Sequence, residues 1–132
     1  VSAEAWTGGC LCGHVRYEAR ARPADPAYCH CRMCQRLSGA PAMAFADVPL
    51  SAFAYVAGEP AVYVSSDTAE RRFCPKCGSH LDWRLRDDPQ VVEIPLTSLD
   101  RAAEIAPEYH IWTESRLPWF DTADHLPRRP QE

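Results

Sequence analysis

Short stretches in which apolar and polar residues alternate dominate this chain. In "HVRYEAR", Val15, Tyr17 and Ala19 alternate with Arg16, Glu18 and Arg20, the period of two that puts one set on each face of a β-strand. "HLDWRLR" repeats the pattern, with Leu81, Trp83 and Leu85 facing one way. "PAMAFADV", "AVYVS", "AERRF", "VVEIPL" and "EYHIW" read as further strands. Helix signals are short. "CRMCQRLSG" allows two turns ending at Gly39, and "SLDRAAE" starts with a serine cap at Ser98. The 12 prolines break any longer helix and suit turns and sheet edges. The expected fold is mainly β, mostly antiparallel, with one or two short helices.

A length of 132 residues suits a single domain with one core. No repeat, linker or low-complexity tract divides it, so one domain is expected over 1–126, with "PRRPQE" at 127–132 as a flexible tail. No apolar run approaches a membrane span. "VSAEAWTGG" shows no basic start followed by an apolar stretch, and a cytoplasmic location is the expectation. A formal charge of −4 and a pI near 5.7 argue against a nucleic-acid partner.

The 7 cysteines change the picture. An odd count cannot pair off completely as disulfides, so metal binding is the better starting point. "CPKCG" is a knuckle: its turn brings Cys74 and Cys77 to one side, and Gly78 permits a left-handed exit. In "GGCLCG", Cys10 and Cys12 share a face of an extended segment. Together these four give a closed tetrahedral site. The competing readings are a redox pair at Cys74 and Cys77, and plain buried thiols at Cys10 and Cys12.

Cys29, Cys31 and Cys34 remain, in "CHCRMC". If a helix starts at Cys31, the three sulfurs occupy three corners of a tetrahedron at a strand-to-helix junction. Helix N–H groups, Arg32 and Arg36 favour thiolate there. Three protein ligands with a vacant fourth corner is how zinc sites that perform chemistry are built. His30 lies between two cysteines and should face away. His80, His110 or His125 remain alternatives for the fourth ligand, and a redox-sensing cluster is a further alternative.

"GGCLCGHVRYE", "CHCRMCQRLSGAP", "FCPKCGSHLDWR" and "HIWTESRLPWFDTADHLP" resemble, in that order, the glutathione-dependent formaldehyde-activating enzyme family, which includes centromere protein V domains. The resemblance implies an Mss4-like, zinc-dependent β fold and two zinc ions per chain. One would be structural, on Cys10, Cys12, Cys74 and Cys77; the other catalytic, on Cys29, Cys31 and Cys34. The activity implied is that of a carbon–sulfur lyase joining a glutathione-type thiol to a formaldehyde-type aldehyde. The segment holding His110 resembles a pocket wall, which makes His110 the candidate proton donor, against a histidine hydrogen-bonded within a strand. Trp112, Trp119 and Phe120 are roof or core, and Arg32, Arg36 or Arg116 would meet a substrate carboxylate. The rival expectations are a thiol-binding module without catalysis and a zinc-dependent interaction domain. Exposed β edges make a homodimer plausible.

Overall fold

Residues 5–132, the part of the chain this computed structural model describes, form ten strands and one α-helix. In chain order these are β1 (Trp6–Gly9), β2 (Arg16–Ala19), β3 (Ala24–Cys29), α1 (Arg32–Ser38), β4 (Met43–Pro49), β5 (Phe53–Ala57), β6 (Ala61–Val64), β7 (Ala69–Phe73), β8 (His80–Leu85), β9 (Val91–Pro95) and β10 (Tyr109–Ile111). A small sheet has the order β1-β2-β5. The large one runs β10-β3-β4-β9-β8-β7-β6, with β10 and β3 its parallel pair. The protein is thus mainly β. Among the described residues, no helix is long and apolar enough to cross a membrane.

The alternation along β4 and β9 builds the core on one face and leaves the other for a site. Ala46, Val48, Val92 and Ile94 are fully buried against Tyr17 and Phe53 of the small sheet. Each such Val or Ile contributes about 1.5–3 kcal/mol by leaving water. Phe45, Asp47 and Glu93 take the alternate positions and line a cavity. At the far edge, β6 exposes Val62, Tyr63 and Val64.

The strand expectations at 14–20, 41–48, 61–65, 69–73, 80–86, 91–96 and 108–112 coincide with β2, β4 and β6 to β10. In β8 the expected single face is broken. The register shifts between Arg72 and Phe73, leaving an extra residue on β8. Leu81 and Asp82 are consequently both fully buried, Trp83 faces the cavity, and Leu85 is exposed. Asp82 is compensated by the Tyr55 hydroxyl and by Arg84, whose Nη2 is 2.8 Å away.

"SLDRAAE" forms no α-helix; short 3-10 turns occupy Leu96–Ser98 and Ala102–Glu104. The Ser98 hydroxyl does not cap. It donates to the Pro95 carbonyl (2.7 Å) and accepts from the Tyr17 hydroxyl (2.6 Å). The tail expected to be flexible over 127–132 also differs. The outer edge of β10 offers backbone groups that need partners. His110 N–H donates to Pro127 O, Arg129 N–H to His110 O, and Thr113 N–H to Arg129 O, at 2.8–3.0 Å. Residues 127–129 are therefore tied along β10.

Candidate metal centres and the cavity beside them

The loop after β1 and the turn between β7 and β8 meet through four sulfurs. Cys10, Cys12, Cys74 and Cys77 place all their Sγ atoms within 4.8 Å of one another. Cys12 Sγ is 3.7 Å from Cys10 Sγ and 3.8 Å from Cys74 Sγ. A zinc ion with Zn–S bonds of about 2.3 Å sits in a sulfur tetrahedron whose edge is about 3.8 Å, so the group fits such an ion. The backbone supports negative sulfur here. Val15 N–H donates to Cys10 Sγ, and Lys76 and Cys77 N–H to Cys74 Sγ, at 3.3–3.5 Å. Gly78 leaves the turn at φ +79°, a conformation glycine adopts without strain. The Ser79 hydroxyl, 3.2 Å from Cys77 Sγ, draws that thiol down to about 5.

Cys29 ends β3, Cys31 is the N-cap of α1, and Cys34 lies in its first turn. The backbone at Cys31 is still extended (φ −65°, ψ 154°), and Cys34 N–H donates to its sulfur at 3.3 Å. The helix closes on Gly39, left-handed at φ +70°, whose N–H reaches Gln35 O. Cysteine stands where serine or aspartate usually caps, so capping and ligand geometry are met by one sulfur. The three Sγ atoms lie within 4.8 Å of one another, and no histidine nitrogen joins either group among the described residues.

Electrostatics within the trio favour a cation. Hydrogen bonding from Cys29 and Cys34 pulls Cys31 down to about 2. The same sharing with Cys31 raises Cys29 to about 12, and Cys29 and Cys31 push Cys34 up. One thiolate is readily accommodated, and each further one faces the first. A bound metal ion removes that repulsion, since coordinating thiols are deprotonated outright. The two groups thus both fit a metal, one offering it four sulfurs and the other three.

The trio opens on a cavity of about 360 Å³. Its opposite wall is one row of the large sheet. Asp47 pairs with Glu93, Glu93 with Trp83, and Trp83 with Arg71, so four strands place these side chains side by side. Asp25 joins them from a bulge in β3, where φ is +54°. Burial and the neighbouring carboxylate of Asp47 raise Glu93 to about 7, against a lowering by Arg71. Burial, with Asp25 nearby, raises Asp47 to about 6. Trp112 completes the rim, itself left-handed at φ +57°.

The structure does not bring His110 to this cavity. Tyr109 and Ile111 face it, which turns His110 to the opposite side of β10. There it is fully buried, stacks on Tyr28 (4.9 Å), and stands 2.8 Å from His30 Nε2 and 3.0 Å from Asp124. His30 faces away from the trio, as expected for a residue between two cysteines that share a face. The His30–His110–Asp124 chain joins β3, β10 and the C-terminal segment.

Arg32, Arg36 and Arg116 also stay outside the cavity. Arg32 donates to Gln35 Oε1 (2.6 Å), and Arg116 to the carbonyls of Leu117 and Phe120. Trp119 is exposed on a separate shallow surface, and the Phe120 ring lies 6.2 Å from His30. Asp47, Glu93 and Arg71 were not singled out from sequence. The available signal was a lone charge at an alternate position within an apolar strand, in "PAMAFADV" and "VVEIPL".

Fold and sites define a mainly β protein assembled around two cysteine groups with metal-ligand geometry, one of four sulfurs and one of three beside a cavity. Residues 5–115 match the model of the glutathione-dependent formaldehyde-activating enzyme family, and the chain belongs to that family. It is similar to the crystal structure of a Rhodobacter sphaeroides protein, with a TM-score of 0.61 and 26% identity, covering 76% of this chain and 97% of that one. No curated protein matches the chain.

Proposed function

We propose that this protein is a zinc-dependent carbon–sulfur lyase-type enzyme, which joins a small thiol of the glutathione type to a small aldehyde of the formaldehyde type, or reverses that addition. One observation carries the reading: Cys29, Cys31 and Cys34 share a single cavity with two carboxyls of raised pKa. Cys10, Cys12, Cys74 and Cys77 would hold a structural zinc, and the trio a second, giving two per chain. When bound at the trio, zinc supplies a positive charge that favours thiolate over thiol in the open position.

The chain's own residues account for the proton. In the addition, a carbon–sulfur bond forms, the carbonyl π bond breaks, and the thiol proton must leave sulfur while one arrives at oxygen. A neutral Glu93 can donate to the oxygen, and its carboxylate can take up the proton that sulfur gives away. A pKa near 7 suits both directions. His110 has no part in this step, because it lies on the far side of β10. A cytoplasmic setting, where thiols stay reduced, agrees with seven unpaired cysteines. If a second copy associates, the open edge of β6 is the strand it can extend.

The test is a rate. Glutathione and formaldehyde combine unaided, so initial velocities are compared with that background, using zinc-loaded protein and Cys34→Ser. Acceleration by wild type alone supports the enzyme. Stoichiometric thiol binding without acceleration replaces it with a thiol-binding module.

A further inference from the structure

Arg71 is an unfinished interaction. It is only 7% exposed, lines the cavity, and has an Nη1 with no hydrogen-bond partner. Its neighbour Arg72 lies 3.7 Å from Glu70 and 3.8 Å from Asp82, but no carboxylate of the described residues is within ion-pair distance of Arg71. A buried guanidinium left unpaired is costly, and evolution usually supplies a partner. Arg71 also belongs to the wall of the cavity, so a ligand there is the nearest available source of one.

We propose that Arg71 is the docking point for a carboxylate of the thiol substrate, at the wall opposite Cys29, Cys31 and Cys34. The proposal rests on the thiol reading above for the ligand's other end. An arginine fork matches a carboxylate with two parallel hydrogen bonds, which a lysine cannot reproduce. In the large sheet β7 is separated from β3 by β8, β9 and β4, a path on the order of 20 Å along the sheet. Both ends nevertheless line one cavity, so the sheet curls around it. A ligand touching both spans this cavity of about 360 Å³, with its carboxylate on the wall opposite its sulfur. A two-carbon thiol such as 2-mercaptoethanol carries no carboxylate for Arg71 to bind.

Calorimetric titration of the zinc-loaded protein tests this without reference to turnover. The ligands are glutathione, its diethyl ester and 2-mercaptoethanol. Arg71→Gln should weaken glutathione at least about tenfold and leave the ester and 2-mercaptoethanol unchanged; Arg71→Lys should recover part of the loss. Unchanged glutathione affinity in Arg71→Gln, or equal weakening of all three ligands, overturns the proposal. If no thiol binds the wild type, the thiol reading fails, and S-methylglutathione becomes the probe. Binding of that probe that depends on Arg71 keeps the carboxylate anchor, and absence of such binding removes it.

Discussion

Asp47 and Glu93 stand opposite each other across β4 and β9, on the face turned away from the core. Two carboxyls side by side in a half-buried row resist ionising together. The same strands that seal Val48 and Ile94 in the core thus hold a proton at the cavity wall near neutral pH.

That proton has a stability consequence. Glu93 is raised from 4.5 to about 7 in the folded chain, so its favourable contribution is fully present below about pH 4.5 and is lost as pH rises through about 7. The groups facing it are Asp47 from β4, Asp25 from β3 and Arg71 from β7. Urea unfolding of wild type and Glu93→Gln, from about pH 5.5 to about pH 8, should show the wild type losing about 2 kcal/mol relative to the variant. A constant difference across that range contradicts the assignment.

The same variant separates proton transfer from binding. Glu93→Gln should lower kcat for the thiol–aldehyde addition by roughly 10²- to 10⁴-fold with little change in thiol affinity. In the wild type, kcat should fall as pH rises above about 7, and that limb should vanish in Glu93→Gln. An unchanged pH profile would place the proton carrier elsewhere.

His110 is a structural group, and its removal should behave so. Its ring joins His30 to Asp124, and its backbone N–H donates to Pro127 O while its C=O accepts from Arg129 N–H. His110→Ala strips a buried hydrogen-bonded ring and should cost about 2–4 kcal/mol. Amide exchange should quicken at 122–129 in particular. The stacking of Tyr28 on this ring predicts that Tyr28 emission changes with it.

Particular residues show why some of this was legible from sequence and some was not. The cysteine partition was legible because ligand spacing is local: a knuckle, an alternating pair and a strand-to-helix triplet each declare themselves within seven residues. β2 was legible from alternation. β3 was not, since Pro26 and the bulge at Asp25 interrupt its pattern. Glu93 and Arg71 lie on strands that are not adjacent, β9 and β7. Only the order β4-β9-β8-β7 puts them in one row facing the trio, and strand order is a non-local property. The face of His110 was likewise fixed by which side of β10 meets β3.

Two cysteine variants weigh the sites against each other. Cys77 helps tie the loop after β1 to the β7–β8 turn, so losing it releases the N-terminal strand from a hairpin some sixty residues away. A structural zinc is folding free energy in a chain this small. Cys77→Ser should therefore unfold the domain or leave it insoluble. Cys34 packs with Met43 and Phe45, but its strand and helix are also held by β4 and by Gln35, which donates to His30 O and Ser115 O. On the two-zinc reading, Cys34→Ser should keep the fold, lower the zinc content from two ions to one, and return the addition to its unaided rate. Circular dichroism and metal analysis of both variants decide it. Equal structural damage from the two changes would show that the trio, too, serves only to hold the chain together.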